Sequence, residues 1–255
     1  SEEDDAKLKA AGEILRRGGL VAFPTETVYG LGGDALNPTS SKRIYAAKGR
    51  PSDNPLIVHI YRFEDIYKIT GDVPEEARRI ADAFWPGPLT MILPKSDAVP
   101  YETTGGLDTV AIRMPSHPAA QKLIEYSGGY IAAPSANTSG KPSPTVAKYV
   151  VEDMMGRIDA IIDGGEVGIG LESTIIDLTV STPQILRPGY ITREKLSAVL
   201  GTVDTDATIL RADSGQAPKA PGMKYRHYAP RGELTIVEGT PEQVREYINR
   251  EAAAD

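Results

Sequence analysis

The 255-residue sequence predicts an α/β fold in which a twisted mixed sheet is covered by helices, followed by a linker and a short β-α segment. Short apolar runs alternate with segments whose apolar residues recur at helical spacing. Several of these runs follow one another directly, which favours a sheet with both parallel and antiparallel strands. With 40% hydrophobic residues, the chain can also bury a sizeable core.

The first helix is predicted from apolar residues at Leu8, Ala11, Ile14 and Leu15, and it stops at the glycine pair 18–19. The next elements are predicted from runs of apolar residues, helical periodicity and the caps or breakers beside them. They are a strand at 20–23, a helix at 40–47 with hydroxyl caps, a strand at 56–60, a helix at 74–84, strands at 89–93 and 109–113, a helix at 118–126, a strand at 130–133, a helix at 145–155 capped by Thr145, strands at 159–162, 173–178 and 184–186, and a helix at 192–200.

The pattern changes after residue 200. Residues 201–230 are predicted to form a linker, because most of the segment is polar and has little periodicity. It ends in Ala-Pro-Gly-Met-Lys-Tyr-Arg-His-Tyr-Ala-Pro, which is too rich in rings and cations for a passive tether. Residues 232–237 then predict a strand and 241–249 a helix. Since one strand and one helix cannot bury a core, residues 231–255 are expected to pack on the domain at 1–200 or to begin a second domain.

Composition excludes several classes of function. The 35 acidic and 28 basic residues give a net charge of -7, which argues against binding nucleic acid through bulk electrostatics. The sequence has no cysteine, so a cysteine nucleophile, an iron–sulfur cluster and cysteine-ligated zinc are excluded. No apolar run approaches the roughly 18 residues of a membrane span. These features predict a soluble, cytoplasmic protein without membrane contact.

The segment from residue 48 to 59, Lys-Gly-Arg-Pro-Ser-Asp-Asn-Pro-Leu-Ile-Val-His, is a polar loop that leads into an apolar strand. Pro51 and Pro55 restrict the backbone, so Arg50 and Asn54 are expected to be held in place. Fixed donors of this kind suit an anion such as phosphate. An ordinary turn between a helix and a strand explains the segment equally well.

A second polar run, residues 23–33, leaves a buried strand and reaches several glycines. Its hydroxyls at Thr25 and Thr27 and its carboxylate at Glu26 suit a small polar ligand. Residues 30–35 loosely match a dinucleotide-binding fingerprint, but the acidic residue expected about 20 positions later is missing. A glycine turn is therefore the preferred interpretation of this stretch.

The loop at 134–145, Pro-Ser-Ala-Asn-Thr-Ser-Gly-Lys-Pro-Ser-Pro-Thr, follows a predicted strand. Its Gly140-Lys141 pair does not form a P-loop, because Pro142 stands where Ser or Thr is required. Its hydroxyls and Asn137 are neutral donors suited to phosphate or ribose. The alternative is a loop that only caps the next helix.

Arg113 and Arg187 each lie at the end of a predicted strand, where ligand sites of α/β proteins are usual, although each could be a plain surface arginine. Glu172 and Ser173 add an acceptor and a donor. Together with Lys48, these loops favour chemistry in which the protein positions and neutralises phosphates without a covalent enzyme intermediate.

Seven motifs in order resemble the YrdC family over about residues 8 to 200. They include Pro-Thr-Glu-Thr-Val-Tyr-Gly-Leu, Lys-Gly-Arg-Pro-Ser-Asp-Asn-Pro-Leu, Pro-Ser-Ala-Asn-Thr-Ser-Gly and Arg-Pro-Gly. The segment at 220–230 is similar to the linker of the two-domain members, which implies that the linker at 201–230 would fold over the site as a lid. The chain stops soon after it, which implies that most of their second, Rossmann-like domain is absent.

The resemblance implies an enzyme that joins L-threonine, bicarbonate and ATP into threonylcarbamoyl-adenylate and releases pyrophosphate. Mg²⁺ would be carried on the ATP phosphates, with no metal ligand from the protein. The product would feed a downstream threonylcarbamoyl transferase complex that modifies the tRNA adenosine next to the anticodon, while tRNA binding by this chain stays open.

The resemblance also implies roles for individual residues. The catalytic motifs Lys-x-Arg and Ser-x-Asn correspond to Lys48, Arg50, Ser135 and Asn137. ATP would contact Arg50, Asn54, Thr109, Ser135, Ser143, Arg187 and Arg226. Threonine or its carbamate would contact Thr27, His59, Arg113, Ala133 and Ser173. No protein general base is predicted, and a core histidine is the alternative for His59.

Two other functions remain as alternatives. The first is an RNA-binding module of the same fold without synthase activity, which the net charge of -7 disfavours. The second is the carbamoyl-handling domain of hydrogenase-maturation proteins, whose usual cysteine-rich zinc modules have no counterpart here.

Overall fold

A computed structural model describes residues 1–206 and 235–252, and it confirms the α/β class. The helices are α1 Glu2–Arg16, α2 Pro38–Lys48, α3 Ile66–Ile69, α4 Glu75–Phe84, α5 Tyr101–Thr104, α6 Pro118–Tyr126, α7 Ala147–Met154, α8 Arg193–Leu200 and α9 Pro241–Ala252. The strands are β1 Val21–Phe23, β2 Gly30–Asp34, β3 Ile57–His59, β4 Leu89–Pro94, β5 Thr109–Arg113, β6 Ile131–Ala133, β7 Ala160–Ile161, β8 Thr174–Asp177, β9 Gln184–Arg187 and β10 Asp204–Thr205.

The strands of the described residues form one mixed sheet in the order β10-β9-β8-β4-β5-β3-β6-β2-β1-β7. The pairs β3–β5, β4–β8, β1–β7 and β9–β10 are parallel, and the other neighbours are antiparallel. In the parallel pair β3–β5, His59 lies opposite Arg113. The register therefore brings two predicted site residues side by side at the ends of two central strands.

The two faces of the sheet are buried differently. On one face, Val58 and its neighbours pack against α2, α4, α7 and α8 in the largest core cluster. On the other face, α1 and α6 cover Phe23 and Ile131. A third, small cluster around Ile57 lies on this second face. Because side chains alternate along a strand, His59 emerges on the same face as Ile57.

The prediction of a glycine turn at 30–33 is wrong, because this stretch forms strand β2 between β1 and β6. A Cβ atom at Gly32 would lie 2.8 Å from Cγ2 of Ile131 and 3.0 Å from Cε1 of Phe23. The glycines are required by the large side chains that pack over the strand. The glycines were therefore interpreted as a turn although the segment is a buried strand.

Most other predicted elements are confirmed, with changes at their ends. The cap of α2 is Asn37 rather than a hydroxyl residue. Helix α7 begins at Ala147 without a side-chain cap, and the main-chain oxygen of Thr145 instead accepts from the N–H of Val167 at 3.0 Å. The one-turn helices α3 and α5 were not predicted, because a single turn carries no periodicity.

The region beyond residue 200 differs from its prediction in two places. Strand β10 lies inside the predicted linker, where Asp204 pairs with Gln184 and extends the sheet. Residues 235–237 have no regular structure, so the predicted strand is wrong over that part. The helix predicted at 241–249 is confirmed as α9. Arg226 and the rest of 207–234 lie outside the described residues.

None of the helices in the described part of the chain is both long and apolar enough to cross a bilayer.

Candidate functional site

A cavity of about 380 Å³ opens on the second face of the sheet, a volume within the usual range of small-molecule sites. All its lining residues come from strands and loops rather than from helices. They are Thr25, Thr27, Val28, Gly30, Arg50, Ile57, His59, Arg113, Ala133, Pro134, Ser135, Glu172, Ser173, Arg187 and Pro188.

Many residues predicted from the sequence meet in this cavity. Those in its lining are Thr27, Arg50, His59, Arg113, Ala133, Ser135, Ser173 and Arg187. The pairing of the central strands explains the convergence, because Ala133 lies opposite Ile57 and His59 lies opposite Arg113. The site therefore combines three arginines, several hydroxyls and one imidazole.

Arg113 is held at the wall of the cavity by two neighbours from the β1–β2 loop. Its Nη1 donates to Oγ1 of Thr27 at 3.0 Å, and its Nη2 donates to Oε1 of Glu26 at 2.6 Å. The arginine side chain is 5% exposed and that of Glu26 is 14% exposed. The buried Nε has no hydrogen-bond partner among the described residues. Nη1 and Nη2 each keep a second N–H, so the guanidinium has donor capacity for an anionic ligand.

Thr27 belongs to a directed chain of hydrogen bonds. Oγ1 of Thr25 donates its single proton to the main-chain oxygen of Val28 at 2.6 Å. The proton between Thr25 and Thr27, whose hydroxyl oxygens are 2.9 Å apart, must therefore come from Thr27. Since Thr27 also accepts from Arg113, its hydroxyl can offer a ligand only a remaining lone pair. Its role toward a substrate is that of an acceptor.

Arg187 and Ser173 form a similar pair in the lining of the cavity. Nε of Arg187 donates to the main-chain oxygen of Ser173 at 3.0 Å, and Nη2 donates to its Oγ at 3.1 Å. Oγ of Ser173 lies 2.7 Å from Oγ1 of Thr90. Burial lowers the pKa of Arg187 to about 10; Glu172 opposes this effect, and Arg113 adds to it. Arg187 remains charged at neutral pH.

Arg50 braces the loop that precedes β3. Its Nη2 donates to the main-chain oxygens of Asn54 at 3.3 Å and Pro55 at 3.1 Å. Asn54 is buried, and its Oδ1 has no hydrogen-bond partner among the described residues. It takes part in this loop through its backbone and does not line the cavity. The loop is therefore ordered, as the prolines predicted.

Lys48 is buried and does not line the cavity. Its Nζ donates to the main-chain oxygens of Ser135 and Asn137, in the latter case at 2.5 Å. Burial lowers the pKa of Lys48 well below its usual value, Arg50 lowers it further, and Asp153 opposes both. Nδ2 of Asn137 donates to the main-chain oxygens of Thr138 and Lys141. The hydrogen bonds of Lys48 thus join the Lys-x-Arg motif to the Ser-x-Asn motif.

Two predicted ATP contacts lie elsewhere. Thr109 begins β5, opposite Pro94, whereas Arg113 ends it. Four residues at about 3.3 Å each put roughly 13 Å between them. Ser143 donates through Oγ to Oε1 of Glu172 at 2.5 Å, so it contacts a residue of the lining without lining the cavity itself.

His59 is buried, and its Nδ1 lies 3.1 Å from the main-chain oxygen of Ile57. Because a carbonyl oxygen can only accept, the contact with Ile57 places the proton of the neutral ring on Nδ1. Burial lowers the pKa of His59 to about 3, and Arg113 also lowers it. The ring is therefore neutral at physiological pH. It is poorly suited to act as a general base.

Sequence reasoning did not predict Thr90 as a contact of Ser173, or Glu26 as the ion-pair partner of Arg113. The motif Trp-Pro-Gly-Pro-Leu-Thr contained the first residue, and Pro-Thr-Glu-Thr contained the second. Neither motif indicates which side chain faces which arginine. Within residues 1–206 and 235–252, no group of three or more His, Cys, Asp or Glu side chains could hold a metal ion.

Comparisons with known proteins identify the family of the chain. Residues 13–189 match the Sua5–YciO–YrdC family model, described as "Telomere recombination". Residues 191–255 match a model described as "Threonylcarbamoyl-AMP synthase, C-terminal domain".

Two similar relatives carry the name threonylcarbamoyl-AMP synthase. The protein of Pyrococcus abyssi is 55% identical over 96% of this chain and 72% of its own length. That of Bacillus subtilis is 52% identical over 96% of this chain and 70% of its own length. The crystal structure of P. abyssi Sua5 complexed with L-threonine superposes with a TM-score of 0.95 at 54% identity, covering 98% of this chain and 73% of that one.

Proposed function

This chain belongs to the Sua5–YciO–YrdC family, and from that membership we propose that it joins L-threonine, bicarbonate and ATP into threonylcarbamoyl-AMP and releases pyrophosphate. The observation that carries the proposal is the cavity in which Arg50, Arg113 and Arg187 meet hydroxyls and a neutral imidazole. Three arginines outnumber the single carboxylate of the lining, Glu172, and this positive balance suits substrates that bear carboxylate and phosphate groups.

Threonine is assigned to the side of the cavity that holds Arg113, Thr27 and His59. Arg113 would bind the α-carboxylate, since a guanidinium matches the geometry of a carboxylate. Thr27 and neutral His59 both offer acceptors, which suit the amino or hydroxyl group of threonine. The similar crystal structure of P. abyssi Sua5, which superposes with a TM-score of 0.95, is complexed with L-threonine. This similarity supports threonine as a ligand of the cavity.

ATP is assigned to the side that holds Arg50 and Arg187. Their charges would balance the phosphates, and the loop at 134–145 would add hydroxyl donors. Mg²⁺ would accompany the phosphates and neutralise part of their charge when bound. The protein residues position and neutralise the substrates, and no protein nucleophile takes part.

The reaction would proceed in two balanced steps. The amine of threonine attacks the carbonyl carbon of bicarbonate and water leaves, which gives N-carboxythreonine. A carbamate oxygen then attacks the α-phosphorus of ATP, and pyrophosphate leaves with the electrons of the broken P–O bond. Both steps depend on orientation of the reacting groups, for which the ordered walls of the cavity are suited.

The same family membership supports a role in tRNA modification, with the product passed to a threonylcarbamoyl transferase complex. Residues 231–255 are proposed to begin a second domain, which the C-terminal family match supports. Arg226 is proposed to reach the nucleotide from the linker. The cytoplasm is the proposed site of action.

The proposal is tested by incubating the protein with ATP, Mg²⁺, bicarbonate and threonine and measuring pyrophosphate. We expect release that requires threonine, together with threonylcarbamoyl-AMP detected by mass spectrometry. Reactions without threonine or with Arg113→Ala serve as controls. A folded protein that binds RNA but releases no pyrophosphate in this assay would contradict the proposal and support an RNA-binding module.

A further inference from the structure

Glu26 connects three segments around the cavity without lining it. Its Oε1 accepts from Nη2 of Arg113 at 2.6 Å, and its Oε2 accepts from the N–H of Ser116 at 3.1 Å. Both carboxylate oxygens are thus engaged, one by the side chain that ends β5 and the other by the backbone three residues later. The carboxylate spans a strand end and the segment that follows it.

The backbone beside Glu26 fixes another wall of the cavity. The main-chain oxygen of Glu26 accepts from the N–H of Ile169 at 3.0 Å, and that of Thr27 accepts from the N–H of Gly170 at 3.0 Å. The segment that continues to Ser173 is therefore docked on the same two residues that hold Arg113. A change in the position of Glu26 would therefore displace both Arg113 and the segment that leads to Ser173.

The charge of Arg113 makes its orientation important. Its side chain is 5% exposed, and its positive charge disfavours protonation of both His59 and Arg187. A buried guanidinium without a paired carboxylate would be costly and free to rotate toward other acceptors. Glu26 and Thr27 each engage one terminal nitrogen, which restricts the plane of the group.

We propose that Glu26 is the positioning residue that orients Arg113, so that the N–H groups left by Glu26 and Thr27 bind the carboxylate of the amino-acid substrate. This inference rests on the proposed function and extends it, because it names a residue that acts through Arg113 rather than by touching substrate. The geometry of Arg113 supports it, since this residue lines the cavity and Nη1 and Nη2 each carry a second N–H that Thr27 and Glu26 do not use.

Two other roles for Glu26 predict different behaviour. If Glu26 only stabilised the fold, its loss would lower the melting temperature and leave the KM for threonine unchanged. If Glu26 occupied the place of the substrate carboxylate, its neutralisation would tighten threonine binding. A positioning role predicts weaker threonine binding and little change for ATP.

The test compares Glu26→Gln with Glu26→Asp and with Glu3→Gln as a matched control. Glutamine keeps the length of the side chain but removes the charge that pairs with Arg113. Aspartate keeps the charge but is one methylene too short to span Arg113 and Ser116. Glu3 pairs with Lys7 on an exposed face of α1, so its change to Gln removes a carboxylate far from this network.

For Glu26→Gln we expect the threonine KM to rise about tenfold to a hundredfold, the effect typical of losing a charge-assisted contact, with the ATP KM changed less than about twofold. Glu26→Asp is expected to recover part of the loss, and Glu3→Gln to match the wild type. An unchanged or lower threonine KM, or equal rises for both substrates, would overturn the proposal.

Calorimetry with L-threonine separates this inference from the proposed reaction. Absence of pyrophosphate release by the wild type would contradict the reaction, while a weaker threonine Kd in Glu26→Gln would still support the positioning role. Melting temperatures identify any variant that does not fold. If Glu26→Gln is unfolded, the Kd of Glu26→Asp decides: a threonine Kd at least about fivefold weaker supports the role, and an unchanged Kd overturns it.

Discussion

Nζ of Lys48 and the main-chain oxygen of Asn137 are 2.5 Å apart, although they are separated by 89 positions in the chain. Lys48 also donates to the main-chain oxygen of Ser135. The Lys-x-Arg and Ser-x-Asn motifs are therefore one structural unit, in which the end of α2 supports the loop at 134–145. The buried lysine side chain is directed at the backbone of that loop and does not line the cavity.

Lys48→Met tests this support directly. The substitution leaves two buried carbonyl oxygens without their donor, so we expect the free energy of unfolding to fall by about 1–3 kcal/mol and the affinity for ATP to weaken. Urea unfolding and calorimetry measure the two effects. Lys42→Met is the control, because Lys42 lies on the same helix and is exposed. Equal stability of the two variants would contradict the role of Lys48 as a support.

Arg50→Ala is expected to weaken ATP binding at least about tenfold, because it removes a cation from the cavity and two donors that order the loop. Calorimetry with ATP measures the affinity, and circular dichroism checks that the protein is folded. Arg50→Lys keeps the charge but not the planar fork, so an intermediate affinity is expected. Unchanged ATP affinity in Arg50→Ala would leave the segment as an ordinary turn.

Thr27→Val removes an acceptor from both Arg113 and the substrate while nearly keeping the shape of the side chain. We expect the threonine KM to rise about tenfold or more, since a charge-assisted contact contributes about 1.5–3 kcal/mol. Thr27→Ser keeps the hydroxyl and is expected to stay within about threefold of the wild type. Steady-state pyrophosphate release at varied threonine provides the measurement. Equal KM values for the Val and Ser variants would show that the hydroxyl is not used.

His59→Gln tests the neutral state of the buried imidazole. The folded-state pKa, about 3, lies below the ordinary value, so the unfolded chain takes up a proton that the folded protein does not. The stabilisation by neutral His59 is complete above about pH 6.5 and is lost as the pH falls toward 3.

Between pH 6.5 and 5.0, the free energy of unfolding of the wild type should fall by about 1.6 kcal/mol more than that of His59→Gln. Urea unfolding at several pH values measures the difference. Parallel decreases in the two proteins would mean that His59 is protonated in the folded state. A rate profile between pH 6 and 8 that depends on His59 would contradict the absence of a protein general base.

The sequence predicted the elements with strong periodicity and clear ends. Helix α6 and strand β5 have the predicted bounds, because proline starts the first and the second is a short apolar run between Thr109 and Arg113. Strand β10 was missed, since two polar residues at the edge of a sheet gain their structure from pairing with Gln184 and Ile185. Such pairing joins distant parts of the chain, and local sequence patterns do not encode it.

The sequence predicted many of the residues that line the cavity but not the contacts between their side chains. Arg113 and Arg187 were predicted at strand ends, and both line the cavity. The contacts of Glu26 with Arg113 and of Lys48 with Asn137 depend on the order of the strands, which sequence motifs do not specify. For the same reason, the structure holds Thr109 at the opposite end of β5 from Arg113.

Gly32→Ala tests why a glycine-rich segment forms a buried strand. The added methyl group would lie 2.8 Å from Cγ2 of Ile131 and 3.0 Å from Cε1 of Phe23, so we expect a loss of about 1–3 kcal/mol in the free energy of unfolding. Gly168→Ala is the matched control, because no atom lies within 4 Å of its added Cβ, and it is expected to change stability by less than about 0.5 kcal/mol.

A double-mutant cycle then identifies the contact responsible. Ile131→Ala alone creates a cavity and is destabilising, but it also removes the methyl group that the alanine at position 32 would meet. The double variant should therefore be more stable than the sum of the two single changes predicts, by about 0.5–3 kcal/mol. Additive effects would mean that close packing against Ile131 is not the reason for glycine at this position.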